Sequence, residues 1–176
     1  MRSAVVTAAL FLLAACSPVC GSTSVSNTGN GCGHPGLCLT LTGPLAGATS
    51  GLVQAPDCIP GGGLDVAFTT HVAGHETTIE ILVTDDSAKS TPGFHPGSFA
   101  IKAARSAPKG TAFASIYVKP DSVVAGYTGG WSTDGAGSSG TVSINGEQSG
   151  KVQEAVVAPA RGSGEALHVS GTFNCR

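Results

Sequence analysis

Charged side chains are scarce in this chain. They make up 11% of its 176 residues, against roughly 25% in an average soluble domain. The 9 basic and 11 acidic residues leave a formal net charge of -2 at pH 7, and the basic residues form no stripe. Because nucleic-acid binding depends on clustered positive charge that attracts phosphates, this composition excludes a nucleic-acid partner.

Aromatic residues and methionine are also few, and long apolar runs are lacking. Aromatic residues make up 5% of the chain, and its one methionine is Met1. The methionine-ligated copper site of blue-copper electron carriers is therefore excluded. The main apolar run, Ala8 to Ala15, is far shorter than the about 20 residues that a permanent transmembrane helix needs. We expect no transmembrane helix.

Glycine and proline, by contrast, are abundant. The 26 Gly and 10 Pro residues amount to about a fifth of the chain, which is below the roughly 25–30% of low-complexity sequences. Apolar residues make up 41%, close to the globular norm. We therefore expect one domain with a buried core and many turns.

The first residues have the pattern of an export signal. Arg2 supplies a positive charge, and the apolar run that follows ends in Leu13-Ala14-Ala15-Cys16. This ending resembles the lipobox of bacterial lipoproteins. The resemblance implies that residues 1–15 are a removable signal peptide and that Cys16 becomes a palmitate-bearing amino terminus, which anchors the chain to the cell membrane or outer membrane, outside the cytoplasm. The alternative is ordinary secretion with cleavage after Ala15.

A change in composition after residue 36 separates a tether from a domain. Residues 16–36 are dominated by Ser, Gly, Asn and Thr and predict a flexible tether. Residues 37–176 show short apolar alternations between Gly, Pro and Asp clusters, the pattern of antiparallel strands. We predict a single all-β domain, an antiparallel β-sandwich or small barrel of about seven to nine strands.

Eight segments carry the strand pattern. The clearest is a hairpin in which Leu64–Phe68 and Ile79–Val83 flank a turn near Gly74. The full set is Leu37–Leu41, Leu64–Phe68, Ile79–Val83, Phe99–Ala103, Thr111–Val118, Val142–Ile144, Val152–Val157 and Leu167–Phe173. The last three lie within Ser139–Arg176, a stretch that resembles the end of small exported β-rich bacterial lipoproteins with a closing His-Val-Ser-Gly-Thr strand and a terminal cysteine. That resemblance implies a β-rich exported domain and no particular activity.

Six cysteines predict disulfides. Outside the cytoplasm we expect disulfide bonds rather than metal ligation. We expect Cys58 to pair with Cys175, which would fasten the last strand to the loop before the Leu64 strand, and Cys32 to pair with Cys38 as a local clip. Lipidation of Cys16 would then leave Cys20 unpaired. The spacing alone leaves about 15 pairings open.

Histidines offer an alternative function. Cys32, His34 and Cys38 lie close together, but no second ligand pair follows at zinc-finger spacing. His71 and His75 flank the predicted hairpin turn and could share a surface metal ion. A small envelope metal-binding protein or metalloenzyme using His71 and His75 is therefore the alternative interpretation. In the preferred interpretation these histidines are solvated and the chain carries no cofactor.

No catalytic motif is evident. The Gly-x-Ser-x-Gly elbow of serine hydrolases is missing, because the segment Gly135–Gly140 has a different spacing. Glu76 and Glu80 would share one face of a strand, as the acid and base of a glycosidase could. A role as charged residues on the exposed edge of a hairpin explains them as well. We do not expect an enzyme.

Aromatic residues on two loops carry the remaining binding hypothesis. Tyr127 and Trp131 lie among glycines, and Phe94 lies between prolines. Exposed rings on loops can recognise sugars, peptides or proteins, whereas buried ones would plug one end of the domain. The sequence thus predicts a lipid-anchored cell-envelope lipoprotein that acts as a non-enzymatic binding or surface-display module, with the membrane and a protein or glycan as partners.

Overall fold

The alternating segments form antiparallel strands in the computed structural model of the chain, which describes residues 36–53, 57–60, 63–85, 96–103, 105–107, 110–145 and 149–175. These residues contain twelve strands and no helix, and the strands form one sheet that nearly closes as a barrel. The predicted all-β antiparallel fold is therefore confirmed. Within the described ranges, no helix has the length and apolar character to span a bilayer.

The strands run in the following order along the chain: β1 (Gly36–Thr42), β2 (Gly47–Ala48), β3 (Ser50–Leu52), β4 (Asp57–Pro60), β5 (Gly63–Val72), β6 (His75–Thr84), β7 (Gly97–Ala100), β8 (Phe113–Pro120), β9 (Trp131–Ser132), β10 (Ser139–Ile144), β11 (Ser149–Pro159) and β12 (Leu167–Asn174). Across the sheet the order is β2-β1-β12-β11-β9-β8-β6-β5-β3. In addition, β10 pairs with β11 and β7, and β4 pairs with β5.

The strand count exceeds the predicted seven to nine because of very short strands. Each of the eight predicted segments overlaps a strand, and β5 and β6 form the predicted hairpin around Ala73 and Gly74. The four additional strands, β2, β3, β4 and β9, have only 2, 3, 4 and 2 residues. Segments this short show no detectable alternation of apolar and polar residues.

The core fills the interior of the barrel with the inward-facing side chains of each strand. On β6, Ile79 and Ile81 are fully buried, while Glu80 between them faces outward. Phe68 on β5 and Phe173 on β12 meet edge to face, with ring centroids 6.3 Å apart. Burying each such side chain contributes about 1.5–3 kcal/mol to folding, so this interior is the main stabilising element.

Threonine hydroxyls satisfy backbone groups where the core meets a strand edge. The buried Thr49 accepts a hydrogen bond from the Leu39 amide on β1 and donates one to the Leu37 carbonyl, both at 3.0 Å. Thr70, Thr77 and Thr133 are the other buried polar residues of the described chain. Among the described residues no buried side-chain nitrogen or oxygen lacks a hydrogen-bond partner.

A disulfide fastens the end of the chain to the barrel. It joins Cys58 on β4 to Cys175 just after β12, with the two Cα atoms 6.0 Å apart and a sequence separation of 117. The predicted Cys58–Cys175 pair is therefore confirmed. Cys38 on β1 is disulfide-bonded as well. Cys32, its predicted partner, lies outside the described residues, as do Cys16 and Cys20.

Candidate functional site

The outer face of four neighbouring strands, β10, β11, β12 and β1, forms an open groove, which we call the outer groove. Alternation places Thr40 and Thr42 of β1 on this face because Leu39 and Leu41 point into the core. Two adjoining hollows, of about 460 and 660 Å³, make up the groove and share Ser139, Glu154 and Ser170. The remaining lining residues are Thr40, Thr42, Val156, His168 and Val169 in the first hollow, and Gly140, Thr141, Lys151, Val152, Gln153 and Gly171 in the second.

Strand register aligns the polar side chains in rows across the groove. Ser139 pairs with Val156, Val156 pairs with His168, and His168 pairs with Thr42, so that these four residues form one row. Ser170 pairs with Thr40 in the next row. Because neighbouring strands lie about 4.8 Å apart, the three spacings from β10 to β1 span roughly 14 Å.

A β-bulge in β11 adds a side chain to the middle of the groove. The pairing of β11 with β12 shifts register between Val152 and Ala155, and both of these residues are fully buried. Gln153 and Glu154 between them are both exposed. In a regular strand successive side chains point to opposite faces, so Glu154 reaches the outer face only because of the bulge.

The opposing strand accommodates this bulge with a glycine. Gly140 on β10 has φ +117°, and a Cβ atom there would lie 2.7 Å from both the Ala155 Cα and the Glu154 carbonyl oxygen. Glu154 itself has φ +49°, a conformation that favours glycine. The bulge thus combines an obligatory glycine on one strand with a strained glutamate on the other.

The polar side chains of the outer groove are available to a ligand. Across the described parts of the chain, the hydroxyls of Thr40, Ser139 and Ser170 and the end groups of Glu154 and His168 make no hydrogen bond to other described residues and face solvent. Only Lys151, Glu154 and His168 among the lining residues are ionisable, so Lys151 and Glu154 balance each other in charge. The groove is therefore nearly neutral.

The aromatic residues predicted as a ligand site lie elsewhere, and the prediction needs correction for Trp131. Trp131 is fully buried, and its ring centroid lies 5.0 Å from that of Tyr127. The indole N–H donates to the Glu165 carbonyl at 3.2 Å, and the Glu165 amide donates to the Tyr127 hydroxyl at 2.6 Å. These contacts explain the burial of Trp131, which offers no surface to a ligand. Phe94 lies outside the described residues.

The two histidines of the predicted hairpin do not converge, which corrects the metal-site alternative. His71 pairs with Glu76 and Val72 pairs with His75 across a two-residue turn. Because paired residues share a face and adjacent pairs alternate, His71 and His75 project from opposite faces of the hairpin. Among the described residues no three His, Cys, Asp or Glu side chains are grouped to hold a metal ion. His34 lies outside the described residues.

The carboxylates of β6 lie on the outer face of the barrel, as the spacing of Glu76 and Glu80 suggests. Glu76 is exposed, and Glu80 is half-buried between β5 and β8. Burial raises the pKa of the Glu80 carboxyl, and the negative charge of Asp65 on β5 raises this pKa further.

Ser122, His75 and Asp121 form a cluster that the sequence did not predict. The Ser122 hydroxyl donates to the Asp121 carboxylate at 3.0 Å and lies 2.9 Å from the His75 Nδ1 atom. The donor in the second contact is set by the tautomer of His75. These contacts hold the segment after β8 against the start of β6.

The outer groove was likewise missed. The alternation within β1 and β12 indicates that Thr40, Thr42, His168 and Ser170 face outward, yet nothing in the sequence alone pairs β1 with β12 or reveals the bulge at Glu154. The fold is a disulfide-linked antiparallel sheet that nearly closes as a barrel, with an open groove on its outer face. No family model, curated protein or solved structure matches the chain.

Proposed function

We propose that the chain is a lipid-anchored lipoprotein of the cell envelope and that its barrel is a non-enzymatic binding module with the outer groove as the binding surface. The observation that carries this proposal is the Leu13-Ala14-Ala15-Cys16 sequence, which follows an apolar run as a lipobox does. Acyl chains on Cys16 would insert into a membrane, and two or more chains make such an anchor stable.

The oxidised cysteines support a position outside the cytoplasm. The Cys58–Cys175 bond and the disulfide-bonded Cys38 are features of proteins that fold in an oxidising compartment. The polar, solvent-facing side chains of the outer groove support the binding role, because ligand specificity comes from a few directed polar groups in a concave surface.

The anchor is tested by mass spectrometry of the full chain made in a bacterium that processes lipoproteins. We expect the mature protein to lack residues 1–15, to carry acyl chains on Cys16 and to partition with membranes. Cys16→Ala should abolish acylation, whereas Cys20→Ala, four residues along the tether, should leave it unchanged. A mature protein that is secreted with an unmodified Cys16 would contradict the anchor.

A further inference from the structure

The disulfide of Cys38 connects β1 to the part of the chain that precedes it. Of the six cysteines, Cys58 and Cys175 are bonded to each other, and Cys38 is disulfide-bonded as well. The remaining three all precede the first residue of β1: Cys16, Cys20 and Cys32. The partner of Cys38 within the chain is therefore one of these three, and the chain must double back from the start of β1 to bring it there.

Cys38 lies on the outer face of β1. Its neighbours Leu37 and Leu39 are buried in the core, and successive side chains of a strand point to opposite faces. Cys38 pairs with Thr172 on β12, which pairs in turn with Lys151 on β11. A disulfide holds its two Cα atoms about 4.4–6.8 Å apart. The partner of Cys38 must therefore lie against the outer face of the barrel.

A hollow lies beside Cys38, at the point where the chain enters β1, and we call it the entry hollow. Its volume is about 390 Å³, and Gly36, the first residue of β1, lines it. Thr172 and Lys151, which continue the row that begins at Cys38, line it as well. A segment that leaves Gly36 and returns to Cys38 on the outer face therefore crosses the entry hollow.

Cys32 suits this return better than the other two cysteines. The proposed acylation occupies the sulfur of Cys16. Cys20 is farther from Cys38 along the chain than Cys32 is, and the entropic cost of closing a loop rises with its length. Pro35 and Gly36 lie between Cys32 and Cys38, and both residue types favour the turn that a short loop needs.

From these observations we infer that Cys32 bonds to Cys38 and that residues 33–35 occupy the entry hollow. This inference rests on the proposed function in taking Cys16 to be acylated, and it adds a segment of the chain itself as the occupant of this surface. Lys151 lines both the entry hollow and the outer groove. The docked segment would therefore close the groove at the Lys151 end, and a ligand would enter from the end at Thr42 and His168.

Mass spectrometry of unreduced peptides from the full chain, made in a bacterium that processes lipoproteins, tests the bond. We expect a peptide pair that joins Cys32 to Cys38. A bond from Cys38 to Cys20, or a free Cys38 thiol, would overturn this inference and leave the acylation of Cys16 untouched. A bond from Cys38 to Cys16 would overturn both this inference and the lipid anchor.

Nuclear Overhauser effects in the full oxidised chain, measured in detergent, test the docked position. We expect contacts between the ring protons of His34 or Pro35 and the methyl group of Thr172. The methyl group of Thr78, on the outer face of β6, is the matched control and should show none. Cys32→Ser/Cys38→Ser should lose the contacts to Thr172. If the oxidised parent lacks them, the docked position is overturned, however the variant behaves.

Discussion

Glu154 holds a backbone conformation that its side chain disfavours. At φ +49° the Cβ atom of an L-residue crowds the following carbonyl, which costs roughly 1–2 kcal/mol. Glycine removes this cost but loses more conformational entropy on folding, by roughly 0.5–1 kcal/mol. We therefore expect Glu154→Gly to raise the free energy of unfolding by up to about 1 kcal/mol, measured by urea denaturation.

Glu154→Ala provides the control for this prediction because alanine keeps the Cβ atom. It should leave the free energy of unfolding within about 0.5 kcal/mol of the parent value, since position 154 is exposed. If the glycine variant is no more stable than the alanine variant, the backbone at Glu154 is not strained.

Gly171 on β12 occupies a position that only glycine fits, in contrast to Glu154. It pairs with Leu39 on one side and Val152 on the other, and its φ is +137°. A Cβ atom at Gly171 would overlap the Cys38 carbonyl oxygen and lie 2.9 Å from the Leu39 Cα. We expect Gly171→Ala to lower the free energy of unfolding by about 3 kcal/mol or more, because backbone atoms must move.

Gly74 in the β5–β6 turn is the matched control for Gly171. It also has a positive φ, +85°, but a Cβ atom there would meet nothing within 4 Å. Gly74→Ala should therefore cost only about 1 kcal/mol, the penalty of the backbone conformation alone. If Gly171→Ala and Gly74→Ala lower the free energy of unfolding by the same amount in urea denaturation, crowding at Gly171 adds no cost and the prediction is wrong.

At the scale of elements, the sequence predicted the strands and turns that depend on apolar–polar alternation and on turn-forming residues. The β5–β6 hairpin was predicted because apolar and polar residues alternate in Leu64–Phe68 and Ile79–Val83 on either side of a turn near Gly74. β9 was not predicted, because its two residues show no periodicity and Trp131 gains its place by packing against Tyr127. The outer groove depends on pairing between β1 and β12, two strands far apart in sequence, and on one bulge, so local patterns could not predict it.

The outer face of the β5–β6 hairpin makes stability depend on pH through Glu80. Burial first, and then Asp65, raise the pKa of Glu80 in the folded state above its ordinary value of 4.5. In the window between these two values the folded state binds more protons than the unfolded state, so the free energy of unfolding falls as the pH rises. This loss of stability is complete above the folded-state pKa of Glu80 and is absent at pH values well below 4.5.

Glu80→Gln should remove this dependence. We expect the variant to melt at a higher temperature than the parent at pH 7, and the difference to vanish below about pH 4, where the parent is protonated in both states. Differential scanning calorimetry across this range measures the effect. Glu76→Gln, on the same face of the same strand but exposed, should give the melting profile of the parent. A constant difference for Glu80→Gln at every pH would contradict the prediction.

At the scale of the whole molecule, the barrel is closed by packing and by a cross-link rather than by a complete ring of paired strands. The ordered sheet ends at β2 on one side and at β3 on the other. The Cys58–Cys175 bond joins β4, which pairs with β5 near one end of this order, to the segment after β12. The sequence predicts this bond because it fastens the last strand to the loop before the Leu64 strand. It also encloses a long loop, and long loops gain most from a cross-link in the chain-entropy model.

The double variant Cys58→Ser/Cys175→Ser tests the contribution of this bond. For a separation of 117 residues the chain-entropy model predicts a loss of up to about 5 kcal/mol in the free energy of unfolding, because the unfolded chain regains its freedom. Since single domains are stable by only about 5–15 kcal/mol, the variant should unfold at a much lower urea concentration. Both cysteines are replaced together so that no free thiol forms wrong pairs. A double variant within about 1 kcal/mol of the parent would mean that packing of the barrel interior alone holds the two ends of the sheet together.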